Sequence, residues 1–415
     1  MKKLFITVLL VLFATAAYAE VNFELSGSFH ARGSYWDNYN LDSSDTVTYS
    51  DYDGDLILYP KIIVGDSTII MKLAIRDETW DAPDTWRSTA AGYEIDDNIS
   101  VERCWLDHKF GENTILSVGL MDGAVWGTTF ADNLNARYRV KVVTKTDIGA
   151  IGALVEKMSE RGNPNVDDAE KDDWDDYAVF MVTKAGDIFV KPLIYYIDNS
   201  SQIPTLDEDG VKVLYLALEL SGDLGDGLGF ESEIGWKDYD VEDLQGVGLV
   251  NATDYSVYGA YLNVWKALDA AKVGGILAYG SWDEDGGATG TGGGWDFGED
   301  FESNLILGDW IALSPSGYDD LEAFTLIKLY ASDISTPVDK LTGSVSAAYM
   351  MSNMDDQPQF EDVTAMELDL GVAYAISDNL TYSVNFGYAT IDQDQTGVDD
   401  PDPVMLLQHR LKLSF

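Results

Sequence analysis

Basic residues recur at every second position along "RYRVKVVTK": Arg137, Arg139, Lys141 and, after Val143, Lys145. Alternate side chains of a β-strand share one face, so this spacing makes a rail of cations that can attract anions or hold carboxylates. A second pattern is "DYDGD", where Asp51, Asp53 and Asp55 alternate around Gly54. Alternate carboxylates with a central glycine suit a hard cation, and the stretch resembles half a calcium loop. The Glu that would complete an EF-hand loop is missing downstream, so the candidate is incomplete. A third stretch, "DGAVWGTTFAD", sets the carboxylates of Asp122 and Asp132 around Trp126, Thr128 and Phe130. Catalytic chemistry finds little material. The chain has three histidines, His30, His108 and His409, and a hydrolase needs a base within reach of a nucleophile and a third group to orient it. No spacing offers that set, so no catalytic residue is assigned and the reading is not an enzyme. No C-x-x-C-H motif attaches a haem, and no cofactor is expected.

The elements that must position these residues begin after "MKKLFITVLLVLFATAAYAE". Lys2 and Lys3, an apolar run from Leu4 to Phe13 and the closing Ala17-Tyr18-Ala19 form a secretory signal peptide over 1–19. The apolar run is too short for the roughly 20 residues a spanning helix needs, and no later stretch is long and apolar enough. The chain is therefore expected to be exported, with residues 20–415 entering a membrane only as strands. The single Cys104 rules out an internal disulfide framework. The net charge of −46 argues against a nucleic-acid partner, which needs basic surface.

Alternation then runs through the whole remaining chain. The last segment, "MLLQHRLKLSF", sets Met405, Leu407, His409, Leu411, Leu413 and Phe415 on one face and Gln408, Arg410 and Lys412 on the other. Segments of about ten such residues are joined alternately by short and long breaks. Gly65-Asp66-Ser67, Gly111-Glu112-Asn113 and Asp378-Asn379 are among the short ones. The count is 18 segments, or 16 if two weaker ones fail. Short turns at one end, long loops at the other and an even count define a closed transmembrane antiparallel β-barrel with periplasmic turns. Only closed barrels and helices satisfy backbone groups in lipid. A soluble sandwich explains the alternation but not the signal peptide, the loop asymmetry and the terminal aromatic together. Strand parity sets His108 and His409 toward lipid and His30 inward.

The signal peptide, the 18 alternating segments and the terminal Phe415 resemble a Gram-negative outer-membrane porin. That resemblance implies a location in the outer membrane, contact with its lipid and lipopolysaccharide, and a homotrimer. It also makes Phe415 a signal read by the barrel-assembly machinery. "VGLMDGAVWGTTFADNLNAR" stands after the fifth strand, where porins send their third external loop into the lumen, so residues about 122–136 are expected to fold inward. "WDFGEDFESNLILGDW" resembles a long-loop segment of porins from anaerobic, metal-reducing and sulfate-reducing lineages.

Parity on the first six strands points Arg32, Lys61, Lys72, Arg76, Arg103, Lys109, Arg137, Arg139, Lys141 and Lys145 into the lumen. This basic arc would face Asp122 and Asp132 across a constriction, and such fields decide which ions pass. The external breaks carry acids at Asp42, Asp45, Asp51, Asp53, Asp81, Asp84, Asp96, Asp97, Asp167, Asp168, Glu170, Asp172, Asp173 and Asp283 to Asp285. A mouth of one sign concentrates counter-ions. The expected function is a water-filled pore for passive diffusion of small hydrophilic solutes and ions, preferring cations. The alternatives are a solute-specific channel for a sugar or organic acid, and a non-conducting structural or enzymatic barrel.

Overall fold

The structure is a computed structural model. It describes residues 21–39, 47–79, 99–123, 125–159, 174–199, 211–241, 254–284, 293–298, 301, 304–308, 311, 313, 321–354, 357, 360–393 and 401–415. The expected segment 1–19 lies outside these residues. Each alternating segment becomes a strand. They are β1 (Val21–Asp37), β2 (Tyr49–Val64), β3 (Ser67–Thr79), β4 (Ile99–Phe110), β5 (Thr114–Gly123) and β6 (Asn135–Thr146). Next come β7 (Gly149–Ser159), β8 (Trp174–Ala185), β9 (Ile188–Asn199), β10 (Val211–Gly225), β11 (Leu228–Val241) and β12 (Tyr255–Ala267). The last six are β13 (Lys272–Gly280), β14 (Phe324–Ser335), β15 (Leu341–Ser352), β16 (Thr364–Ser377), β17 (Leu380–Asp392) and β18 (Val404–Ser414).

The 18 strands form one antiparallel sheet, each paired to its sequence neighbours. Closure comes from β1 and β18, with Ser28 opposite Ser414 and Asp37 opposite Met405. Phe415 completes the seam: its N–H donates to Gly27 O and its carbonyl accepts from Gly27 N–H, at 3.0 and 2.8 Å. A closed barrel leaves no sheet edge in lipid. The short turns are tight because residues such as Gly65 and Gly186 adopt positive φ, 57° and 66°, where glycine carries no steric cost.

The outer face is apolar along most of each strand, with Leu25, Val140, Ile194, Ile234, Leu329 and Leu370 all exposed. Exposed aromatics lie near the long-loop ends (Tyr52, Tyr138, Tyr177, Tyr258) and near the short-turn ends (Phe110, Phe189, Tyr374, Phe415). An apolar band between two aromatic girdles matches a bilayer and its two interfaces.

The dry core is inside the barrel. It is made by the connection between β13 and β14, which folds inward and packs against β12 to β18 and β1. Trp295, Phe297, Ile306, Leu307 and Leu321 are fully buried there with Trp36, Phe324, Leu326, Met350 and Leu406 from the wall. Glycines on the inward faces make the room. Gly235 and Gly259 sit opposite each other on β11 and β12, and a Cβ on either would come within 2.2 Å of the Trp295 ring. Such strand glycines mark close approach of another group. Glu367 on β16 fastens the segment by accepting from the N–H groups of Leu305, Ile306 and Leu307, each at 2.8 Å.

Candidate functional site

The expected inward loop follows β5 and crosses the lumen to the far wall. Gly127, at φ 79°, lets the backbone pass so close that a Cβ would meet Glu233 Oε2 at 2.6 Å. Thr128 then donates both its N–H and its hydroxyl to Glu233 on β11, at 2.8 and 2.7 Å. A single 3-10 turn, Thr129–Ala131, is capped by the Thr128 hydroxyl. It delivers Phe130 into a cage of Tyr261, Trp295, Phe297 and Phe301, where it is fully buried. Trp126 donates its ring N–H to Lys191 O at 3.3 Å and packs on Phe180.

The two acids expected to face the pore from this loop are both engaged by donors of the fold. Asp132 is buried and accepts from the Trp126 N–H at 2.6 Å, so its charge closes the neck of the loop. Asp122, at the end of β5, is ion-paired to Arg103 Nε at 2.6 Å. Both carboxylates are drawn to donors already fixed by the fold, which is why neither is left unpaired to face solute.

The basic arc lies on the inward faces, and half of its ten members are neutralised within the wall. Arg32 pairs with Asp53 and Lys72 with Glu102, at 2.8 and 2.6 Å. Arg137 Nη1 contacts Glu156 Oε2 at 2.9 Å, Asp176 Oδ2 at 2.7 Å and the Tyr195 hydroxyl. Arg139 contacts Glu156. Tyr195 donates to these same two acids, and both acids have no exposed surface. Lys61, Lys109 and Lys145 lie on their strands near the short-turn end, and Arg76 is on β3 with its side chain outside the described residues. Glu156, Asp176 and Tyr195 complete this cluster, and a reading of cations alone passes over them. The signal was available, since each sits at an inward position of its own strand.

Asp51, Asp53 and Asp55 lie on β2 rather than in the break before it, because β1 and β2 stay paired out to Trp36 and Tyr49. His30 contacts Asp53 at 3.2 Å and Asp55 at 2.6 Å, so two of the three carboxylates already have basic partners. His409 packs beside Tyr52 and Tyr382, and a Cβ on Gly33 would meet its ring. His108 bonds Ser67 at the end of β4. The three histidines are thus apart. Of the external acids, Asp42, Asp45, Asp81, Asp84, Asp96, Asp97, Asp167, Asp168, Glu170, Asp172, Asp173 and Asp285 lie outside the described residues.

With the two segments folded in, the lumen retains a cavity of about 620 Å³. Arg137, Arg139 and Lys141 line one side, and Lys237, Tyr215 and Asp296 another. Trp126, Leu154, Phe180, Leu193 and Val213 supply much of the rest, so the cavity is amphipathic.

No protein-family model matches the chain, and no curated protein matches it by sequence. Solved outer-membrane porins share its fold. Pseudomonas aeruginosa OccK2 (OpdF), solved in complex with glucuronate, is 11% identical with a TM-score of 0.56, over 94% of this chain and 98% of that one. Pseudomonas aeruginosa OprD is 13% identical with a TM-score of 0.54, over 96% and 97%. Acinetobacter baumannii OccAB2 is 11% identical with a TM-score of 0.54, over 94% and 98%. At such identities the likeness is one of fold: a closed, 18-stranded antiparallel barrel.

Proposed function

We propose that this chain is a Gram-negative outer-membrane channel that passes small hydrophilic organic solutes selectively and passively, with carboxylates as the favoured class. The observation that carries this reading is the amphipathic cavity between the two in-folded segments. A wide pore would select by size and screened charge alone. Here a solute must pass a narrowed lumen with cationic side chains on one side and apolar or aromatic surface on the other. Fixed charges at such a constriction are less screened by salt than charges at a solvated mouth. The glucuronate of the OccK2 complex is a carboxylate of suitable size for comparison. The expected cation preference rested on the acidic mouth together with Asp122 and Asp132, and the engagement of these two by Arg103 and the Trp126 N–H favours the solute-specific alternative.

Export through the signal peptide 1–19, contact with lipid and lipopolysaccharide, delivery by the barrel-assembly machinery and a homotrimeric state belong to the same proposal. Deleting Phe415 should leave precursor or degraded protein in the periplasm, because it removes the two backbone bonds at the seam. Normal outer-membrane levels of that variant would count against its role in assembly. Function is tested with purified protein in planar bilayers and liposomes. Discrete conductance steps with saturable glucuronate uptake are expected. Steps with uptake that rises linearly for every solute would point to a general pore, and no conductance at all would return the non-conducting barrel.

A further inference from the structure

The cationic rail on β6 is not uniform. Arg137 and Arg139 are held by Glu156 and Asp176, two acids with no exposed surface. Two positive charges therefore meet two negative ones within the wall. A solute anion bound there would compete with ion pairs whose loss strands a buried charge, which is strongly unfavourable. Lys141 lies two residues beyond Arg139 on the same inward face and lines the same cavity. Among the described residues it makes no direct ion pair or hydrogen bond, and Asp107, Asp122 and Glu156 act on it only at longer range. Lys237 lies on β11, also at the cavity. Its ammonium stands 4.6 Å from the Trp295 ring centre and 5.7 Å from that of Tyr215, and among the described residues it has no ion pair. A ring face attracts the cation electrostatically but accepts no strong hydrogen bond, so the N–H donors stay available.

We propose that Lys141 and Lys237, rather than Arg137 and Arg139, receive the anionic group of a small organic carboxylate in this passage. The proposal rests on the reading of the chain as a solute-selective channel. The arginines keep the wall in place. The lysines, each a point charge on a rotatable stem, bind the carboxylate in turn while Trp126, Leu154 and Phe180 touch its apolar body. Conduction needs binding that is favourable yet easily released, and an ammonium outside any direct ion pair among the described residues meets that need better than a guanidinium already held by buried carboxylates.

The test uses the full-length protein in liposomes and planar bilayers, with phenylacetate and glucuronate as probes. Lys141→Gln and Lys237→Gln should each raise the half-saturating phenylacetate concentration by about tenfold, as for loss of one charge-assisted hydrogen bond. The double variant should shift the reversal potential in a potassium chloride gradient toward potassium. Charge-keeping Lys141→Arg and Lys237→Arg should stay near wild type, which separates charge from packing. The paired Arg139→Gln/Glu156→Gln, which removes one charge of each sign, should change both readouts little. Wild-type saturation and reversal potential in the double lysine variant would overturn the proposal. So would the paired variant moving them as far as the lysine variants do. Linear uptake by the wild type would sink solute selectivity instead; a lysine-dependent reversal potential would then still support the lysines as anion receivers.

Discussion

The two sides of the lumen are built on opposite principles. On β6 to β9 the inward positions hold Arg137, Arg139, Glu156, Asp176 and Tyr195, joined by short polar contacts. On β12 to β18 they hold small and aliphatic residues, Ala278, Leu326, Ala348, Met350 and Ala365, and the in-folded segment covers them. The polar side is rigid because each charge fixes its neighbour. The dry side is rigid because side chains fill space, with Glu367 as a polar fastening. The open cavity lies where neither device fills the barrel. Position along the wall, rather than barrel diameter, therefore sets the size of the passage.

Removing the dry side's cover should have the largest effect. Replacing residues 293–321 with a short Gly-Ser linker should raise single-channel conductance by roughly three- to fivefold as the obstructed half opens. An unchanged conductance would mean that this segment does not limit the path. On the polar side, Arg137→Gln leaves Glu156 and Asp176 facing each other without their shared cation. A loss of about 3–5 kcal/mol is expected in urea unfolding from detergent micelles. Adding Glu156→Gln should restore part of it, and failure to do so would argue against a coupled cluster.

Phe130→Ala tests the join between the two in-folded segments. Truncating a fully buried aromatic costs about 3 kcal/mol or more, here directed at loop docking. The readout is increased gating noise in single-channel records with the mean open conductance preserved. The smallest effect is expected for Glu367→Gln. Its single remaining amide oxygen cannot accept from all three N–H groups, a loss of about 1.5–3 kcal/mol, and hydrogen exchange at Leu305 to Leu307 should speed up while that at β6 stays as it was. Equal acceleration at both places would contradict the independence of the two sides.

The barrel itself was legible because lipid forces a period of two on every strand, down to Leu413 and Phe415. The inward cations followed from the same parity. Glu156 and Asp176 follow from it too, once anions on neighbouring strands are read together with cations. Asp51 and Asp53 were harder, because a strand that outruns the bilayer has no apolar face to mark its end. The dry core was hidden for a different reason. Trp295, Phe297 and Ile306 belong to a segment that local patterning marks as loop, and their partners are far away in sequence: Gly235, Gly259 and Gly387, where a Cβ would meet Ile306 at 2.9 Å. A glycine at an inward strand position signals that something approaches, but not what.

Gly298 closes against the inserted loop so tightly that a Cβ would come within 2.6 Å of the Asp132 carbonyl oxygen, while Phe130 fills the space beside Trp295 and Phe301. Two external loops of a barrel are ordinarily free to diverge, lengthen or be exchanged one at a time. These two are not. A bulkier residue at 298 or a smaller one at 130 would need a matching change more than 160 residues away, so the pair behaves as one heritable unit. Swapping either loop alone between related chains should give barrels that assemble but leak, and transplanting both together should restore a tight channel.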